Sequence, residues 1–378
     1  MQGYTLSERG KELIKWYYNR ILATKIISIL IGIVVALGLF WVLDDTMWYP
    51  LEFLIIWFCC FLGIFGSRTA LVQLLQCNYT DLLNNKGEPR LFLEVFHGLK
   101  RLSHNKQMKP VDMLNVSAAY CNMGQYEDAL NCLSEQYINY NALSLKLRVI
   151  YMNNKFVCYH EMGDWKMARN CFEQLKQEVE RLQEKTHFAR FVMWSEKIYT
   201  TCRIGVMDYE ILTLEGRSYI PNILDTIREE LEEKGCLVRR MYFLLHLGVK
   251  ELALGHYEAA AQAFDTVVKQ GGNLWYRELA KQNLRMIHDR DCGIELLQEG
   301  EAAQVRMLIS QQTGTPISEE EIRNSIIYVL HEDRGEIAGV ARITNNMELG
   351  EVIMSPEWDT GKNQFRLREE MKRRGYLK

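Results

Sequence analysis

Proline and clustered metal ligands are what this sequence has least of. Six prolines stand among 378 residues. Proline is the strongest helix breaker, so the low count predicts long helices with few interruptions. Ten cysteines are present, but none forms a C-x-x-C pair, and the eight histidines are scattered. The close set of thiolates and imidazoles that a zinc ion needs is therefore not expected. Most of the cysteines stand in helical patterns where a small apolar residue would serve. They read as reduced core cysteines of a cytosolic compartment. No basic stripe with interleaved aromatics occurs and the net charge is −3, so no nucleic-acid partner is expected. Gly-x-x-x-x-Gly-Lys-Ser/Thr, Gly-x-Ser-x-Gly and His-Glu-x-x-His are all missing, which removes three common catalytic signatures. The acidic runs at 229–233 and 319–321 read as a solvated helix face and a first helical turn, and neither calls for a metal.

Long apolar runs are present. Ile26 to Leu43 reads IISILIGIVVALGLFWVL, without a charge. As a helix it covers roughly 27 Å, close to the hydrocarbon thickness of a bilayer. A second run, FLIIWFCCFLGIFGS, extends from Phe53 to Ser67. It becomes a full span when carried back through Trp48-Tyr49-Pro50-Leu51, with Glu52 near the interface. The first run is too long and too far from the start for a cleaved signal. Arg9, Lys11, Lys15, Arg20 and Lys25 precede the first span, the connecting DDTMWYPLE has no basic residue, and Arg68 follows the second. The bias of basic residues toward the cytoplasm predicts a two-pass anchor in the cell membrane, with both termini and the main domain cytoplasmic. Thr5-x-x-Glu8 reads as a capping box that opens the first helix. Gly32-x-x-x-Ala36 offers a close approach between the spans.

A period follows. In MLNVSAAYCNMGQYEDALNCL, NNKFVCYHEMGDWKMARNCFEQL and LLHLGVKELALGHYEAAAQAFDTVV, a helix ends at Gly-x-aromatic: Gly124-Gln-Tyr126, Gly163-Asp-Trp165 and Gly255-His-Tyr257. Three residues past the aromatic stands Ala129, Ala168 or Ala260. Four further stands Leu133, Phe172 or Phe264. Glycine ends the first helix, the aromatic wedges the turn, and the alanine lets two helices approach. The pattern resembles the tetratricopeptide repeat, a helix–turn–helix unit of about 34 residues, and the third copy also carries the family's Leu-Gly pair as Leu247-Gly248. Between the second and third copies the periodicity predicts helices over Phe188–Arg203 and Ile220–Glu233, with a glycine-containing turn region between them. The resemblance implies a solenoid whose first helices line a groove for a segment of another protein. The groove positions would be Leu114, Ala118, Cys121 and Asn122, then Asn153, Val157, His160 and Glu161, then Tyr242, Leu245, Val249 and Leu252. The Lys, Asn and Arg cluster with which some members clamp a terminal carboxylate does not occur at these places.

After residue 290 the pattern changes. GIELL predicts a strand, EGEAAQVRMLISQQ a helix, and Ser318-x-x-Glu321 a capping box before a second short helix. IIYVLHED and EIAGVARI predict strands joined at Arg334-Gly335. ELGEVIMS predicts a third long strand, and NQFRLREEMKRRGY a closing helix. That order, together with Val352-Ile-Met-Ser-Pro-Glu-Trp358, resembles the first part of the GCN5-related N-acetyltransferase fold. It covers roughly residues 293 to 378, and the resemblance implies a further strand–helix–strand portion that would lie beyond Lys378. Acetyl-CoA would then be held by Val352, Ile353, Met354, Gly361 and Lys362, with Glu348 or Glu351 available as a base. The family's pyrophosphate loop wants a cation and two small residues, which bring backbone N–H groups to the phosphates. This chain has Asp359, Lys362 and Gln364 at those places.

The expected chain is mainly α: a juxtamembrane helix (1–25), a transmembrane helical hairpin (26–68), a tetratricopeptide-like α-solenoid (69–290) and a small α/β module (291–378). The expected function is that of a non-catalytic scaffold or adaptor, which binds a protein or peptide, or a second copy of itself, at the bilayer. No metal and no cofactor are expected. The alternative is a membrane-tethered N-acyltransferase using acetyl-CoA, completed by another chain or a partner.

Overall fold

The computed structural model describes residues 6–43, 79–102, 108–186, 188–233, 235–288, 294–331, 336–344, 347–356 and 361–374, together with 54, 57–61, 64, 65, 358, 359 and 376. The chain is mainly helical, with a four-stranded antiparallel sheet near its C-terminus. The connecting run 44–53 and the Arg334-Gly335 turn lie outside the described residues, as does part of the second apolar run.

α1 (Glu8–Leu43) is a single helix of 36 residues, about 54 Å long at the usual rise. The residues expected to form a separate juxtamembrane helix and the first apolar run are thus one element. Within its stretch Glu8–Gly38 an 18-residue window reaches a mean hydropathy of 2.5, enough by length and composition to cross a membrane. The buried side of α1 runs through Gly10, Ile14, Tyr17, Thr24, Ser28 and Gly32 at steps of three, four or seven. The first half of this seam docks on α2 (Pro89–Leu102). There Ile14 and Tyr17 join Phe92 and Phe96 in one apolar cluster, and Glu94 accepts from Ser7 N and Oγ at 3.1 and 2.5 Å. The second half carries small residues. Thr24 and Ser28 return their hydroxyls to carbonyls one turn back, which satisfies them without water. A side chain at Gly32 would lie 2.3 Å from Ile64, so the second apolar run approaches α1 there.

Next come α3 (Pro110–Asn122), α4 (Tyr126–Cys132), α5 (Leu145–Glu161), α6 (Trp165–Lys185), α7 (Ala189–Glu210), the short α8 (Leu214–Arg217), α9 (Ile220–Glu232), α10 (Leu237–Ala253), α11 (Tyr257–Gln270) and α12 (Trp275–His288). Three hairpins, α3–α4, α5–α6 and α10–α11, turn in the same way. Gly124, Gly163 and Gly255 have φ of 76, 74 and 77°. Each glycine N–H donates at 3.0 Å to the carbonyl three residues back. The next N–H donates to the carbonyl five back, at 3.0, 2.9 and 2.9 Å. This is a Schellman closure. Ala129, Ala168 and Ala260, and then Leu133, Phe172 and Phe264, are buried where the paired helices meet. α3 rests on α5, α5 on α7 and α7 on α10.

The structure differs from the expected helices at one point. α7 continues to Glu210, and Gly205 lies inside it. A side chain there would meet Tyr242 Oη at 2.8 Å and Phe156 at 3.1 Å. The glycine therefore permits close helix packing and does not mark a turn.

The array folds back on itself. Asn273 N donates to Gly87 O at 3.2 Å, and Trp275 packs against Gly124. Tyr276, buried, stands 6.1 Å from Tyr242.

The C-terminal module is built from β1 (Ile294–Leu296), α13 (Ala302–Thr313), α14 (Glu319–Asn324), β2 (Ile326–His331), β3 (Ile337–Ile343), β4 (Leu349–Met354) and α15 (Gly361–Arg373). The strands lie in chain order, all antiparallel. β2 is buried on both faces: α13 and α14 cover one with Val305, Ile309 and Ile322, and α15 covers the other with Leu367 and Met371. The end of α7 and α8 enter the same clusters through Tyr209, Leu212 and Leu214. Arg217 Nη2 also donates to Leu297 O at 2.7 Å.

Candidate functional site

Four ionisable side chains meet inside the helical region where α5, α7 and α10 cross. Asp208, in the last turn of α7, is the centre. His246 and Lys250 stand one turn apart on α10, so both face it. His160 reaches it from the last turn of α5. Lys250 is fully buried; it pairs with Asp208 Oδ1 and donates to Ile204 O at 3.0 Å. His160 Nε2 lies 3.4 Å from Asp208 Oδ2 and 3.0 Å from Gly205 O, and its Nδ1 is 3.0 Å from Glu161 Oε1. His246 Nδ1 stands 2.6 Å from Asp208 Oδ2, off the hydrogen-bonding direction. Its Nε2 has no hydrogen-bond partner among the described residues. The Tyr242 ring lies 4.0 Å from the His246 ring, and Tyr242 Oη donates to Thr201 O at 2.9 Å.

The electrostatics follow from burial and pairing. Burial alone would raise Asp208, but its basic neighbours, His246 first and then Lys250 and His160, hold it well below the usual carboxylate range. Burial works against the charged imidazole of His160, yet its bonds to Asp208 and Glu161 outweigh that and push it up to about 10. Burial is also the largest effect on His246 and on Lys250. It depresses both, and Asp208 offsets it only in part. His160 is thus held protonated and His246 neutral at pH 7. Among the described residues no group of His, Cys, Asp and Glu is arranged to hold a metal ion. Lys250 occupies the place a cation would take beside Asp208.

Two cavities flank this network. One, about 230 Å³, lies between the helical region and the α/β module, and Asp208 forms part of its wall. The other, about 390 Å³, is lined by His160, Trp165, Lys166, Arg169, Tyr209 and Met347 among others. Met347 is held at φ 61°, uncommon for a residue with a side chain.

The structure distributes the predicted groove positions unevenly. His160, Glu161 and Tyr242 come together at the network, and Val249 lines the smaller cavity. Asn153 accepts from Cys202 Sγ at 3.3 Å. Asn122, His160 and Tyr242 are buried, and Tyr276 from α12 stands against Tyr242. Val352, Ile353 and Met354 lie on β4, where Ile353 and Met354 are buried. Gly361 and Lys362 open α15, and Gln364 Nε2 donates to Asp359 Oδ1 across the preceding loop at 2.7 Å.

Asp208, His246 and Lys250 escape a reading by motif. Their one sequence signal is a His and a Lys four apart on a helix that is otherwise apolar on that face. Comparison with protein-family models, with curated proteins and with solved structures gives no match for this chain.

Proposed function

We propose that this protein is a membrane-anchored scaffold or adaptor whose tetratricopeptide-like helical array binds a segment of another protein. The observation that carries the reading is the common geometry of the turns at Gly124, Gly163 and Gly255, each followed by an aromatic and a buried alanine. Stacked pairs of this kind suit partner binding, because each pair needs neighbours to bury its apolar face and the stack presents an extended surface. A two-pass anchor is supported by the apolar length of α1, by its exposed Ile26, Leu30, Val34 and Leu37, and by the contact of Gly32 with Ile64.

The docking place favoured by the geometry is the larger cavity and its rim. Trp165 and Tyr209 give it aromatic walls, and Lys166 stands exposed at its mouth beside Arg169, which also pairs with Glu210 at 3.1 Å. An acidic segment with an apolar side chain matches that chemistry. The test is quantitative affinity purification from detergent-solubilised membranes. Wild type is expected to enrich a partner with an acidic segment, and a Lys166→Glu/Arg169→Glu variant to lose it while retaining its thermal transition. Equal enrichment by both proteins contradicts the reading.

The acyltransferase alternative draws on the order of elements around the sheet. The Asp359–Gln364 bond weighs against it, since it occupies the loop where a phosphate cradle needs bare backbone. Saturable acetyl-CoA binding by calorimetry, lost in Gly361→Trp, would reverse this ranking.

A further inference from the structure

The smaller cavity has a composition that selects for charge. Its body is apolar: Ile211, Leu212, Leu252, Ile287 and Leu296 contribute walls. At about 230 Å³ it exceeds the ~150 Å³ that holds benzene in an engineered cavity. Its polar lining includes two amides and three charged side chains, Asp208, Glu295 and Arg374. Asn283 spends an amide N–H on Leu279 O at 2.9 Å, and Gln298 spends one on Leu296 O at 2.9 Å.

The charges in the wall are unevenly matched. Arg374 is bonded to Glu370 at 2.7 Å and lies 4.7 Å over the Tyr328 ring. Asp208 is matched by Lys250 and His160. Glu295 on β1 accepts from Tyr257 Oη at 3.1 Å, and no cation pairs with it among the described residues. One carboxylate therefore faces a largely apolar cavity without a counter-charge among the described residues.

We propose that this cavity is a binding site for a small organic amine in its ammonium form, with the cationic head on Glu295 and an apolar body against Leu252 and Ile287. The site is distinct from the partner-binding surface and stands whether or not that reading holds. Because its wall joins α7, α10 and α12 to β1 and β2, an occupant bridges the helical region and the α/β module. That linkage raises the stability of the whole protein with ligand concentration.

The test uses the full-length protein in detergent micelles, with para-fluorobenzylammonium as probe and para-fluorobenzyl alcohol and para-fluorobenzoate as isosteres. Fluorine NMR titrations are read against empty micelles. The ammonium is expected to bind saturably. Glu295→Gln is expected to weaken it about tenfold, the worth of a charge-assisted hydrogen bond, and to leave the alcohol unaffected. Ala253→Leu, which fills the cavity from α10, is expected to abolish binding of both. Equal affinity for ammonium and alcohol, insensitivity to Glu295→Gln, or no saturable binding of any probe to a protein that keeps its thermal transition would each overturn the proposal.

Discussion

At the residue scale, Asp208 is the side chain on which most depends. Replacing it by Asn leaves Lys250 fully buried without a counter-ion, and breaking a buried pair in this way costs about 3–5 kcal/mol. Denaturant unfolding followed by tryptophan fluorescence should show that loss; a change near zero would mean that water or another group already compensates Lys250. The imidazoles give a pH signature. His160 is raised from its ordinary 6.5 to about 10. Its contribution is complete below about pH 6.5 and declines as pH rises toward 10, because the folded state there binds the extra proton. His246 is lowered, so its contribution holds above 6.5 and is lost as pH falls below it. Thermal stability should therefore peak near neutrality and fall by at most about 1 kcal/mol per pH unit on the alkaline side, because the lowered Lys250 contributes an opposing slope where it titrates. His160→Gln should flatten that alkaline limb and leave the acid limb in place. An unchanged alkaline slope in the variant would show that His160 is not held protonated.

At the scale of elements, the turns separate backbone strain from packing. At Gly163 an added methyl meets nothing within 4 Å, whereas at Gly124 it would lie 2.6 Å from the Trp275 ring. Both glycines have positive φ, so Gly163→Ala should cost about 1 kcal/mol from conformation alone. Gly124→Ala should cost that plus about 1–3 kcal/mol of overpacking. Equal losses in melting experiments would show that α12 does not press on the first turn. The same elements show what sequence makes legible. Gly-x-aromatic turns, the 326–331 and 337–343 strands and the apolar length of α1 are local signals, and each is found where the pattern puts it. The closure of 273 onto 87 and of Trp275 onto Gly124 joins segments more than 150 residues apart, and no periodicity carries that information. Asp208 was hidden for a related reason. Gly205 resembles a turn signal, and only the approach of Tyr242 and Phe156 explains it as a helix-packing glycine. Of the candidate site, His160, Glu161, Tyr242 and Val249 were readable as positions on repeat helices, but not their convergence on a buried acid.

At the scale of the whole molecule, α1 would, on the proposed anchor, tie a bilayer to the helical region. Its first half is fixed to α2 through Glu94 and the Ile14–Tyr17 cluster, and its second half presents apolar side chains outward. Both halves belong to one continuous helix, so the proposed span would join α2 without a flexible linker. Gly32→Leu, which collides with Ile64, should separate the two apolar runs and lower the yield of membrane-integrated protein, as read by resistance to alkaline carbonate. The central claim is a two-pass anchor that leaves the helical region and the α/β module on one face of the membrane with the N-terminus. It is tested most directly by protease protection of sealed vesicles carrying different epitope tags at the two ends. The account predicts that both tags are digested together from the cytoplasmic face and that the protein stays in the carbonate-resistant pellet. Digestion of one tag with protection of the other, or release of the protein by carbonate, would contradict it.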